Sequence, residues 1–490
     1  MENTIFCLRK YFATALLFLM VFSCSKEPLP VLPEEEELPL QFNTISDKLI
    51  LTHEFRAAWL TTAWSLDWPQ NAKGADQQIA LLINQIDRLK ASNINVVLFQ
   101  VRTSSDAFYN SELVPWSHYI TGTQGVDPGY DPLQVAIDAA HERGMEMHAW
   151  LNPYRVGGNS QYYAPGHPAL DYPERYVVFE GARYWNPGLP EVREHICDIV
   201  REIIDNYDVD GIHFDDYFYP YGSKVTNPYV FDDRESYLKY GEGMDIHTWR
   251  EKNIDAMIAD VNNTIKSADK SITFGVSPMG TYSNAMTVYA NPVTWMNRKI
   301  IDYLAPKIYW EIGHSTADFD THVRFWNAQS AGIAVVPGLA AYKHGDANYP
   351  AFANPEQFLS QVSIGRSLTN VKGNCWFRTN HLLSYTLNSF ILNRIYQYPS
   401  LVPNFSTPGS NPSPPVVTIV NNQLSWAQVE GAEMYAVYSL KRTNTIGEWT
   451  ANLRQHSHLT SYEGEKGNNY VVIATRGRDK SNYSGVHFIQ

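Results

Sequence analysis

Cysteine is scarce in this chain, four residues in 490, too few to staple a disulfide scaffold. Charged residues make up only 18%, and the basic share is the smaller one, 38 Lys and Arg against 51 Asp and Glu. The net charge of −13 speaks against a nucleic-acid ligand, because phosphate backbones are held by clustered Lys and Arg. There is no long internal apolar run, no CxxC pair and no Gly-rich phosphate turn after the first strand-like run. What the chain has in quantity is apolar and aromatic material: 44% hydrophobic and 13% aromatic, with 31 Tyr, 13 Trp and 21 Phe. That supports real cores, in one large enzyme domain plus an accessory or in two to three domains. Most aromatics belong in cores, but Tyr and Trp also suit surfaces that stack on sugar rings.

The first 23 residues read as a signal peptide: Arg9-Lys10, an apolar stretch from Tyr11 to Phe22, then Ser23. Val21-Phe22-Ser23-Cys24 resembles a bacterial lipobox with Cys24 as the lipidated residue; the other reading is an ordinary signal peptide with a chance Cys. Residues 24–50 follow as a tether, acidic at Glu34–Glu37 and broken by Pro28, Pro30, Pro33 and Pro39. The chain is expected to be an exported lipoprotein of a bacterial envelope, held to a membrane through Cys24. Cys197 and Cys375 are expected to be buried thiols.

From 51 to 399, β-rich runs alternate with helical patterns: Phe55–Thr61, Asn95–Val101, Met145–Leu151, Gly211–Asp215, Ile272–Val276, Tyr303–Trp310, Ile333–Val336 and Asn374–Phe377. Eight βα-like units suit a (β/α)8 TIM barrel with enlarged loops; a doubly wound α/β sheet is the other topology. Residues 400–415 have linker composition. Residues 416–490 alternate as short strands around Trp426 and resemble a fibronectin type III-like sandwich, small and all-β.

In such a barrel the chemistry sits at the C-terminal ends of strands. Period-two alternation turns His213 and Asp215 inward, with Asp216 opening the loop toward Tyr217, and aligns Lys307, Tyr309 and Glu311 on the sixth strand beside Trp310. Two carboxylates on different strands are the minimum set for glycosidic cleavage: one protonates the leaving oxygen, the other attacks or activates water. Asp215, Asp216 and Glu311 are the candidates, although an Asp at a strand end can also be a helix cap and Glu311 can pair with Lys307 or Arg56. Arg56, Trp64, Asp67, Trp68, Gln100, Arg102, Trp150, Asn152 and Arg155 complete the expected substrate cleft as stacking platforms and fork-shaped donors. His148 and His213 lie in no HxH or HExxH spacing, so neither a metal nor another cofactor is expected.

The stretches 54–62, 67–69, 99–102, 149–156, 185–188, 210–220, 274–278 and 305–310 together resemble the bacterial glycosyl-hydrolase-like family 10. That resemblance implies a (β/α)8 glycosidase acting on cell-wall glycan, in particular peptidoglycan strands stripped of stem peptides. Thr103-Ser104-Ser105 and Met279-Gly280-Thr281-Tyr282 depart from the family pattern in loops over the cleft. Another extracellular polysaccharide, or glycan binding without turnover, remains open at this point.

Overall fold

The computed structural model describes residues 43, 47–405 and 411–490; the expected leader, Cys24 and most of the tether lie outside them. Eight parallel strands form the centre: β1 (Phe55–Leu60), β2 (Val96–Arg102), β3 (Glu146–Leu151), β4 (Gly211–Phe214), β5 (Thr273–Val276), β6 (Tyr303–Leu304), β7 in two pieces (Ala334–Val335 and Gly338–Leu339) and β8 (Gly373–Trp376). The first piece of β7 pairs with β6, the second with β8, and β8 pairs with β1, so the sheet closes on itself. Pro337 divides β7 because it has no N–H to give. The flanking residues carry the ladder past it: Val336 and Gly338 donate to Leu304 and Pro306, and Cys375 donates to the Pro337 carbonyl. The structure is therefore the closed barrel, and the doubly wound alternative is excluded.

Helices cover the outside, their apolar stripes at three- and four-residue spacing. The helix Pro190–Asn206 buries Val192, Ile196, Ile199, Val200 and Ile203. The helix Pro132–His141 starts with Pro at its first turn, and Asp131 accepts from Leu133 and Gln134 N–H. Inside the ring, Phe55, Ala57, Trp59, Val96, Leu98, Trp150, Tyr303 and Val336 form a separate core. Two glycines make room for the large members: a Cβ on Gly275 would lie 1.9 Å from the Tyr303 ring, and one on Gly211 would lie 2.6 Å from His148 Nδ1.

The sixth strand is much shorter than its β-rich sequence run. After Leu304 the chain meets Pro306, bridges once at Lys307 to Met279, and coils through Ile308 N–H to the Pro306 carbonyl and Tyr309 N–H to the Lys307 carbonyl. Period-two alternation ends there and does not reach Glu311.

The C-terminal domain is a sandwich of one sheet with Val417–Val420, Gln423–Trp426 and Ser461–Glu463 against another built on Glu448–Ser457, Met434–Arg442 and Asn469–Arg476. This two-sheet pattern is fibronectin type III-like. The expected tether ends earlier than residue 50: Lys48–Leu51 is a strand, parallel to Glu448–Ser457, with Leu49 and Leu51 packed on the sandwich core. The expected linker is also engaged, with Leu401 and Val402 buried and Phe405 against Phe55 and Tyr303 at the barrel floor.

The domains are joined by Arg478. It enters the N-terminal mouth of the barrel, where its Nε is 2.6 Å from Glu146 Oε1, its Nη2 contacts Glu146 Oε2, and Nη2 donates to Thr273 Oγ1 at 3.2 Å. Burial would raise the Glu146 carboxyl, but Arg478 and His148 hold it down to about 2. Its folded value lies below the usual 4.5, so its stabilising contribution is complete above that pH and is lost as pH falls toward 2. Arg478→Met leaves Glu146 buried without its cation; chemical denaturation at pH 7 is expected to show a loss of about 3–5 kcal/mol, shrinking on acidification through that window.

Candidate active site

Asp215 directly follows β4 and is 1% exposed. Oδ2 accepts from Trp150 Nε1 at 3.2 Å and Oδ1 from Tyr217 N–H at 3.3 Å. Burial pushes this carboxyl up to about 7; Lys307 opposes the rise and Asp216 adds to it. The neighbouring Asp216 is placed differently. Its Oδ1 is 2.5 Å from Lys307 Nζ, and its Oδ2 accepts from Tyr221 OH at 2.6 Å. Burial pulls Lys307 down, but Asp216 and Asp215 outweigh it and hold the ammonium above its usual range. Two adjacent acids are thus divided: one is neutralised by a lysine, and the other is left as a carboxyl that titrates near neutrality.

Glu311 lies beyond the coil that ends β6, half-buried. Among the described residues no hydrogen bond or ion pair engages its carboxylate; the cation that feels it is Lys343, whose Nζ donates to the Tyr309 carbonyl at 2.5 Å. Tyr309 stacks on Phe377 at 5.7 Å and meets Tyr342 edge-on.

Below Asp215 runs a buried polar column. Trp59 Nε1 donates to His213 Nε2 (3.2 Å), His213 Nδ1 and His148 Nδ1 both contact Tyr303 OH (2.9 and 3.0 Å), and His148 Nε2 meets Glu146 Oε2 (3.1 Å). One donor order satisfies every group: His213 Nδ1–H to the Tyr303 oxygen, Tyr303 O–H to His148 Nδ1, and His148 Nε2–H to Glu146. Burial keeps His213 well below its usual range, hence neutral.

The barrel rim gathers Asp215, Asp216, Trp150, Tyr217 and Lys307, with Trp64 and Arg155 in the loops beyond β1 and β3. Trp310 is half-buried in the coil after β6, where its carbonyl accepts from Gln361.

The other expected cleft residues serve as scaffold. Arg56 sits at the start of β1, at the opposite end of the barrel, paired with Glu54 and donating to the Tyr398 carbonyl. Trp68 is fully buried against Phe99 and Phe108, its indole N–H given to the Gln78 carbonyl. Asp67 is also buried and ties the β1 loop to the β8 loop through Thr61 and Asn380 N–H. Gln100 accepts from Thr62 and Ala63 N–H, Arg102 donates to the Asn152 carbonyl, and Asn152 caps the turn at Tyr154 and Arg155. His213 lies a layer beneath the rim. Cys197 and Cys375 are free and buried.

Sequence reasoning missed Tyr221, which stands just beyond the Tyr217–Pro220 run, and Tyr303, which the alternation of Lys307 would have reached if extended backward. Among the described residues no group of three His, Cys, Asp or Glu is arranged to hold a metal ion. A cavity of about 1640 Å3 lies at the barrel floor beside Glu146, His456, Arg478 and Lys480, far from the strand ends that carry Asp215.

Carboxyl NMR of the protein is expected to show Asp215 titrating near pH 7, and Lys307→Met should move that midpoint upward. Because its folded value exceeds the usual 3.8, ionising Asp215 costs stability progressively as pH rises from there to about 7. Asp215→Asn should therefore melt higher than the parent at pH 8 and close to it at pH 4.

Comparison with known proteins agrees with this geometry. Residues 54–353 match the family model described as glycosyl hydrolase-like 10. Glycosyl hydrolase YngK of Bacillus subtilis (strain 168) is 34% identical over 392 residues, covering 75% of this chain and 75% of the relative. Glycosyl hydrolase DigH of Escherichia coli (strain K12) and that of Shigella flexneri are each 34% identical over 378 residues, covering 67% of this chain and 83% of the relative. The chain belongs to the glycosyl hydrolase-like 10 family and is a glycoside hydrolase built on a (β/α)8 barrel.

Proposed function

We propose that this glycosidase cleaves a β-linked amino-sugar glycan, specifically peptidoglycan strands that have lost their stem peptides, with Asp215 as the general acid. The observation that carries the reading is the Asp215 carboxyl, buried at a strand end and raised to about 7 while Asp216 beside it is held by Lys307. A proton donor must hold its proton into the neutral range, and a carboxyl raised to about 7 does so where an ordinary aspartate does not. Both oxygens of Asp216 are engaged, by Lys307 and Tyr221, so it is not free to attack the sugar. Glu311, whose carboxylate is unengaged, takes the part of base or nucleophile on the opposite side of the sugar ring. Trp64 and Tyr217 supply apolar faces for pyranose rings.

The lipobox-like Val21–Cys24 and the acidic tether support an exported protein anchored through Cys24. Cys24→Ser is expected to move the protein from the membrane fraction to the soluble fraction of the cells; unchanged membrane retention would overturn the anchor.

Mass spectrometry of products from amidase-treated peptidoglycan tests the reaction. Asp215→Asn and Glu311→Gln should each lower kcat/KM by about 100-fold or more. The parent's kcat/KM should fall as pH rises through about 7, where Asp215 loses its proton. Full activity in both variants would refute the assignment.

A further inference from the structure

Twelve of the 13 tryptophans are buried or half-buried; Trp64 alone is exposed, at 59%. The backbone that presents it is unusual. Trp64 and the next residue, Ser65, both have φ of +52, the left-handed region that non-glycine residues rarely occupy. The turn is held there from below, because Gln100 takes the N–H groups of Thr62 and Ala63 and Ser65 N–H returns to the Thr62 carbonyl. A strained turn braced by buried bonds, whose product is an indole facing water, marks a binding feature.

Arg155 lies beside that indole, its guanidinium carbon 5.2 Å from the ring centroid. Among the described residues its side chain makes no hydrogen bond and no ion pair, and its Nε is buried without a partner. Arg56, Arg102, Arg250 and Arg478, arginines also packed into the barrel, all have carboxylate, hydroxyl or carbonyl partners. Arg155 is thus an unpaired cation whose donors are available to an incoming anion. Tyr217 connects it to the chemistry, since its phenol feels both Arg155 and the Lys307–Asp216 pair.

We propose that Trp64 and Arg155 form a subsite for a pyranose that carries a carboxylate, the indole taking the sugar's C–H face and the guanidinium the anion. This rests on the glycan reading above and adds to it the feature that the enzyme reads. A muramic unit whose stem peptide has been removed exposes a free lactyl carboxylate, whereas the same oxygens are tied into an amide in an intact strand. Pairing with Arg155 would select the first.

The test uses two substrates made from one preparation: glycan strands from amidase-treated peptidoglycan, and the same strands with their lactyl carboxylates converted to methylamides by carbodiimide coupling. The full-length parent should prefer the free acid by about tenfold or more in kcat/KM. Arg155→Gln should abolish that preference, with the loss falling on KM for the acid strands; Arg155→Lys should keep part of it. Trp64→Ala should raise KM on both substrates alike. Equal cleavage of the two strands by the parent, or an undiminished preference in Arg155→Gln, overturns the subsite while leaving the glycan reading intact. Cleavage of neither strand by the parent refutes the glycan reading and the subsite with it. Should Arg155→Gln fail to fold, the parent's preference and Trp64→Ala still decide the matter.

Discussion

The buried pair between Lys307 and Asp216 is the constraint on which the rim depends. Two successive aspartates at the end of one strand, both nearly dry, would repel each other and resist ionisation together. Lys307 comes from the coil after β6 and neutralises one of them. Asp215 receives only part of that benefit, and at neutral pH its burial costs the fold on the order of 4 kcal/mol if ionised. The protein carries that cost at the position where a transferable proton is useful. Tyr221 completes the arrangement by occupying the second oxygen of Asp216, so its geometry is fixed on both sides.

Much of the barrel was legible because parallel strands covered on both faces read as short β-rich runs separated by helical stripes. Alternation also assigned the inward faces correctly on β3 and β4, where Trp150, His213 and Asp215 do point into the ring. What alternation does not encode is height along the barrel axis. Arg56 stands at the floor, at the start of β1, and out of phase with Phe55, Ala57 and Trp59, which turn into the ring. The sixth strand failed for a local reason: Pro306 and the tight coil after it break the period before Glu311. Asp67 stands in the loop after β1, Gln100 and Arg102 at the end of β2 and Asn152 just past β3, as expected, but their donors and acceptors are spent chiefly on backbone groups. Irregular loops have many such groups to satisfy, and a single sequence does not show which polar side chain is assigned to that work.

The aromatic surplus resolves in the same way. Composition alone could not divide it between core and surface, and the core took most of it. Phe55, Trp59, Trp150 and Tyr303 fill the ring interior, while Trp68, Tyr154 and Tyr219 lie fully buried between strands and helices or under loops. Glycines at 211 and 275 are what let imidazole and phenol rings pass through so narrow a space. The column from Trp59 to Glu146 therefore consists of polar atoms carried on large apolar bodies, every one of them partnered.

Arg478 is separated from Glu146 by 332 positions in the sequence. A ribosome makes the β-strand bearing the carboxylate long before its counter-ion. Until Arg478 has emerged, the nascent barrel has an acid for its floor without the guanidinium that answers it in the folded protein. The sandwich is in this sense the keystone of the barrel: the floor reaches its finished electrostatics only once Arg478 of the second domain is in place, which ties the completion of one domain to the folding of the other.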